Sequence, residues 1–286
     1  MFQNTTCSLC VINSRGEREP FSFWKVYRGA RKVGASKDLA GRIAKTIERE
    51  ILPDTKTSEI FKRVKSLLHK EFPAAALRFS LKEGMRKLGP TGFPFEKYIG
   101  EIFLKKGFRV RLNQNISGFC CRYEIDFLAQ KDNSLIIGEC KYRNLAGQRV
   151  ELKAALSNYA RFLDIKKGYS SRKSGKNLRL KSLLVTNTKF TSKTIRYCKC
   201  VGSDLLGWNY PRKKGLEYLI DTQKLYPITI LPSFKKDLAD VFASKRIMLA
   251  EDVLRLDIEE FAKENRVPVN RFKSLVQEAR ILLRED

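Results

Sequence analysis

The chain has 286 residues, with 57 Lys and Arg against 31 Asp and Glu, and a formal net charge of +26. With 43% hydrophobic and 10% aromatic residues it has enough apolar mass for packed cores, which excludes disorder as its main state. A pI near 9.9 points to a polyanionic partner, and nucleic acid fits better than a membrane, because no apolar run approaches the ~18 residues of a spanning helix.

The first fourteen residues are polar and uncharged, with no basic run before an apolar stretch, and do not read as a signal peptide. Seven cysteines, an odd number, predict reduced thiols and a cytoplasmic protein. His69 is the only histidine, which excludes multi-histidine metal sites and leaves Ser-His-Asp or Cys-His catalysis only if His69 itself serves, so carboxylates, Lys and a hard cation are the expected means of hydrolysis.

Three segments are predicted in chain order. Residues 1–88 hold 19 bases and 9 acids, 89–230 hold 27 and 11, and 231–286 hold 11 of each. The first opens on a strand over 8–13, a turn at Ser14-Arg15-Gly16-Glu17 and a segment leading to Trp24. Helices follow at Leu39–Ile51, ended by Pro53, then at Thr57–Leu68 and Ala74–Leu88. Gly89-Pro90-Thr91-Gly92 is the boundary. Next come a helix from Phe95 to Lys106 and strands at 108–112, 119–128 and 134–141. A helix from Val150 to Ile165 leads to a loop at 166–181. A strand at Ser182–Thr186, a helix at Ser192–Val201 and a strand at Leu205–Tyr210 complete the segment. This α-β-β-β-α-β-α-β order predicts an α/β fold, a mixed sheet covered by helices. Residues 235–286 read as helical throughout.

The chemistry concentrates in Tyr123-Glu124-Ile125-Asp126 and Gly138-Glu139-Cys140-Lys141. Residues i and i+2 of a strand share a face, so Glu139 and Lys141 point together, and a hairpin partner places Asp126 beside Glu139. Two adjacent carboxylates suit a divalent cation, Mg²⁺ or Mn²⁺, and Lys141 can orient or deprotonate a water and offset phosphoryl charge. The plainer reading is a hairpin with a surface salt bridge.

With Glu96 on the preceding helix, these residues resemble the PD-(D/E)xK nuclease superfamily, in its Mrr-like and RecB-like restriction-endonuclease branch. The resemblance covers residues 90–225. It implies a metal-dependent endodeoxyribonuclease in which Asp126 and Glu139 bind metal, Lys141 is the catalytic lysine, and Glu96 is an auxiliary acid. On the next helix Tyr159 is present, but Ala155 stands where the RecB-like pattern has Gln. Arg161-Phe162-Leu163-Asp164 on this helix reads either as support for the site or as a helix-end salt bridge, with the second favoured.

Residues 8–88, through Gly16-Glu17-Arg18-Glu19-Pro20-Phe21, Lys25, Gly34-Ala35-Ser36 and Thr57-Ser58-Glu59-Ile60, resemble the ATP-cone, a regulatory nucleotide-binding module. The resemblance implies ATP or dATP as effector, with Arg15, Arg18 and Lys25 at phosphates and Phe21 or Trp24 against a base. A cone joined to such a nuclease implies a role in defence against foreign DNA. The rival functions are a nucleotide-responsive DNA-binding regulator without turnover and a junction or repair nuclease.

Lys166, Lys167, Arg172, Lys173, Lys176, Arg179 and Lys181 form a candidate DNA clamp, with Arg212-Lys213-Lys214 a weaker patch. Cys7, Cys10, Cys198 and Cys200 read as buried thiols ahead of a zinc site, and His69 as a surface residue of its helix. Residues 231–286 weakly resemble a helix-hairpin-helix bundle. Cutting both strands needs two sites, which predicts a homo-oligomer.

Overall fold

The computed structural model describes residues 9–89, 95–171, 178–266 and 268–284. The chain divides into two compact units. One comprises Met1–Gly84, Ile230–Phe234 and Val253–Asp286; the other comprises Met85–Thr229 and Lys235–Asp252. The expected third segment, 231–286, is therefore shared between the two units.

The first unit opens on β1 (Cys10–Ile12) and β2 (Arg18–Pro20), which pair antiparallel across a turn. In that turn the Arg15 N–H donates to Asn13 Oδ1 at 2.8 Å, and Gly16 takes a left-handed φ of 81°. Ser22 caps α1 (Phe23–Lys32), a helix that the sequence reading did not foresee. Ser36 caps α2 (Lys37–Glu50). β3 (Thr55–Lys56) runs parallel to β1, giving the order β2-β1-β3. It leads into α3 (Thr57–Glu71) and α4 (Pro73–Phe79). Leu39, Ile43 and Ile47 pack with Val64 and Leu68, as their helical spacing predicts. The helix expected over 74–88 breaks at Ser80, whose hydroxyl donates to the Ala76 carbonyl, and resumes as α5 (Leu81–Lys87).

The second unit carries α6 (Phe95–Lys105), β4 (Arg109–Ser117), β5 (Arg122–Lys131) and β6 (Ser134–Cys140). Then come β7 (Arg149–Val150), α7 (Leu152–Ser171), β8 (Arg179–Val185), β9 (Lys189–Phe190), α8 (Ser192–Val201) and β10 (Asp204–Leu206). α9 (Leu216–Thr222) and α10 (Ala239–Ser244) complete it. The main sheet has the order β10-β8-β6-β5-β4. β4, β5 and β6 are antiparallel, whereas β6, β8 and β10 are parallel, so the expected mixed sheet is present.

Side chains alternate across this sheet. Phe127 meets Phe103 of α6 at 5.3 Å between rings, whereas Leu128 joins Phe162 and Ile165 of α7. The two helices thus cover opposite faces. Ala155 of α7 and Cys198 of α8 form a second cluster with Leu184 and Leu205 of the sheet. Gly138 lies under the Phe127 ring, where a Cβ would fall 2.1 Å from Cζ, so no other residue fits. The helical C-terminal region ends in α11 (Ile258–Asn265) and α12 (Val269–Leu283), and α12 packs on α4 within the first unit.

Candidate active site

The sheet forks where the acids lie. The β5–β6 ladder ends at Phe127 and Gly138. Beyond that pair β5 stays with β4 through Arg122, while β6 stays with β8 as far as Cys140 opposite Val185. One step past the last pair stand Asp126 and Glu139. The Cys140 N–H donates to Asp126 Oδ2 at 2.6 Å, so a side chain replaces the ladder carbonyl. On the other side Asn113 adopts a left-handed φ of 51° and drops out of the β4–β5 register opposite Asp126. Ile125 and Leu128 consequently share one cluster, although an unbroken strand would send them to opposite faces.

Glu139 follows Leu135 and Ile137 on the face covered by α7 and is only 6% exposed. Its Oε1 pairs with the Lys141 ammonium, and its Oε2 accepts from Arg161 at 2.7 Å. Leaving such a buried carboxylate unpaired costs about 3–5 kcal/mol, which the two cations offset. Arg161 also reaches the Glu124 carbonyl at 3.3 Å and so ties both arms of the fork to α7. The favoured reading of a helix-end salt bridge is corrected here, since Arg161 pairs with Glu139, as the alternative reading had it. Asp164 instead binds the β4–β5 turn.

Burial, then the neighbouring Glu139 and Glu96 charges, hold the Asp126 carboxyl above its ordinary range against the Cys140 N–H and Lys141. Burial likewise pushes the Cys140 thiol up. Asp126 Oδ1 and the Glu96 carboxylate have no hydrogen-bond or ion-pair partner among the described residues. Glu96, Glu139 and Lys141 all lie within electrostatic reach of Asp126. The donors suit a hard cation. Among the described residues no three His, Cys, Asp or Glu side chains are grouped to cage one, so a cation here would rely on waters, as Mg²⁺ does.

The other expected sites are placed differently. In the first unit Arg15 pairs with Glu17 at 2.8 Å, Arg18 with Asp54 at 2.7 Å and Lys25 with Glu19 at 3.0 Å. Phe21 packs against the core, while Trp24 is 61% exposed. The expected basic loop at 166–181 is corrected as well. Lys166 and Lys167 sit on the last turns of α7, and Arg179 and Lys181 sit on β8. Leu178 and Leu180 face α7, so Arg179 and Lys181 point to the opposite face, and the clamp is divided. Arg172, Lys173 and Lys176 lie outside the described residues. Arg212, Lys213 and Lys214 are exposed.

Cys7 also lies outside the described residues. Cys10 is disulfide-bonded, which corrects the expectation of reduced thiols throughout. Cys198 is buried and free, and Cys200 is exposed and free. His69 is exposed. Among the described residues no helix is long and apolar enough to cross a membrane.

The fold and site define a mixed α/β protein with a forked sheet, a carboxylate–lysine cluster at the fork and a helical C-terminal region. The family described as AF1548-like, C-terminal, matches residues 226–283. An uncharacterized protein of Archaeoglobus fulgidus is 34% identical over 183 residues, 64% of this chain and 98% of that relative. A solved structure, titled as a protein of unknown function, AF1548, aligns with a TM-score of 0.55 at 31% identity over 65% of this chain and 94% of its own. The chain belongs to the AF1548-like family.

Proposed function

We propose that the chain is a divalent-metal-dependent endodeoxyribonuclease of PD-(D/E)xK type. The observation that carries this reading is the fork, where Asp126, Glu139 and Lys141 meet in a strongly basic unit and neither Asp126 Oδ1 nor Glu96 has a partner among the described residues. Asp126 and Glu139 would hold Mg²⁺ or Mn²⁺. When bound, such an ion polarises a phosphoryl oxygen and acidifies a water. Lys141 holds one Glu139 oxygen and sits where an ammonium can orient a water and offset phosphoryl charge. Arg161 positions Glu139 from α7. In the first unit, a cone-like nucleotide-responsive role would require ATP or dATP to displace the acids now paired with Arg15, Arg18 and Lys25.

Supercoiled plasmid with Mg²⁺ or Mn²⁺, with and without ATP or dATP, tests the reading. Wild type should nick or linearise it, EDTA should stop this, and Lys141→Ala should lose at least a hundredfold in rate while still binding DNA. Equal cutting by Lys141→Ala overturns the assignment. Light scattering tests for the oligomer that double-strand cleavage needs.

One observation favours a second reading, a DNA-binding regulator without turnover. Both Glu139 oxygens are already held by cations, which compete with any metal. Failure of the plasmid assay with DNA binding intact would select it.

A further inference from the structure

The β4–β5 turn, Gly118 to Cys121, is bolted to α7 more firmly than an exposed hairpin tip requires. The Gly118 N–H donates to the Cys121 carbonyl at 2.7 Å and closes the turn. The next three N–H groups all end on Asp164. Phe119 donates to its backbone carbonyl at 3.1 Å, and Cys120 and Cys121 donate to its carboxylate at 2.9 and 3.2 Å. Two glycines permit this approach. A Cβ on Gly118 would lie 2.1 Å from Asp164 Oδ2, and one on Gly168 would lie 2.5 Å from the Gly118 carbonyl carbon. Arg161, Asp164 and Gly168 follow i, i+3, i+7 spacing on α7, so one helix face holds both the carboxylate site and this tip.

The tip presents an aromatic ring. Phe119 is 54% exposed, and the Lys167 ammonium lies 3.8 Å from the ring centroid. Arg122, just after the turn, and Lys166, next to Lys167, are also exposed, and none of these three cations forms an ion pair among the described residues. Asp164 hydrogen bonding pushes the Cys120 thiol up, so the tip is not built around a thiolate. An exposed ring on hydrogen-bonded backbone, with a cation over one face, matches an unpaired nucleotide, whose base stacks on the ring face away from the ammonium while its phosphate reaches the ammonium.

We propose that the Gly118–Cys121 tip is a binding site for single-stranded DNA, in which Phe119 stacks on an unpaired base and Lys167 contacts the adjoining phosphate. The ligand rests on the nuclease reading, and the site would steer an unpaired segment toward the fork.

The test is fluorescence anisotropy of the full chain in EDTA, where nothing is cut, with a labelled 30-nucleotide strand and its duplex. Phe119→Ala and Phe119→Leu should each weaken single-strand binding about tenfold and change duplex binding less than twofold. Phe119→Trp should bind as wild type, with its indole fluorescence quenched by the strand. Unchanged single-strand binding by Phe119→Ala overturns the proposal. So does an equal loss on the duplex, or Phe119→Leu binding like wild type. Failure of the plasmid assay alone removes the nuclease reading and leaves this site standing.

Discussion

Asp126 is held where its charge is unfavourable. Burial and the nearby Glu139 and Glu96 raise its carboxyl above the ordinary range. Ionising it therefore costs stability, and the cost builds as pH rises from the ordinary carboxylate value through the raised one. Asp126→Asn keeps an oxygen for the Cys140 N–H and removes the charge. It should raise the melting temperature in EDTA at pH 7.5 by about 2–4 °C, the shift of about 1 kcal/mol in a unit of this size, and abolish cleavage. The gap should close at pH values below the ordinary carboxylate range, where wild type is neutral too. A calorimetric scan with no gain at neutral pH would show that the fork imposes no such penalty. Asp126, Glu139 and Lys141 were legible from strand periodicity. For Arg161 the sequence left two readings open and favoured the other one, because its role depends on where α7 crosses the sheet, and no local spacing encodes that.

At the scale of elements, α7 decides most. The sequence marks its start and its apolar face, and predicts an end at Ile165. It continues to Ser171, and Gly168 in this added stretch faces Gly118, where there is no room for a side chain. Asp164 ties this helix to the turn. Burial works against its charge, but the Cys120 and Cys121 N–H groups outweigh burial and lower the carboxyl below the ordinary range. A lowered carboxyl stabilises the fold fully above its unfolded value and loses that contribution as pH falls through the folded one. Asp164→Asn should therefore have a lower urea midpoint than wild type at pH 6, and the difference should shrink toward pH 3. An equal difference at both pH values would mean that the ionised carboxylate is not what holds the turn.

For the whole molecule, charge is the dominant fact. At +26, DNA binding should be driven by release of counterions from phosphates. Raising salt from 50 to 200 mM should weaken binding by about a thousandfold or more, if six or more phosphates are engaged. Anisotropy across a salt series checks this, and a flat response would mean that the charge serves another purpose. The division into units could not be foreseen. Phe272, Leu275, Val276, Ala279 and Leu282 form an apolar stripe along α12 that plainly needs a partner. That the partner is α4, some 200 residues earlier, is a long-range packing choice.

Local pattern alone determined the helices with repeating apolar faces, the alternating strands and the two charged strand ends, because each follows from spacing within a few residues. Tertiary structure decided the rest. It opened the sheet between β5 and β6, recruited Arg161 and Asp164 from one helix, and sent Arg179 and Lys181 away from Lys166 and Lys167. It also set Asp54 against Arg18 of the basic hairpin in the first unit. Each of these depends on which distant surfaces bury one another, and a linear sequence carries that information only in the sum of all its contacts.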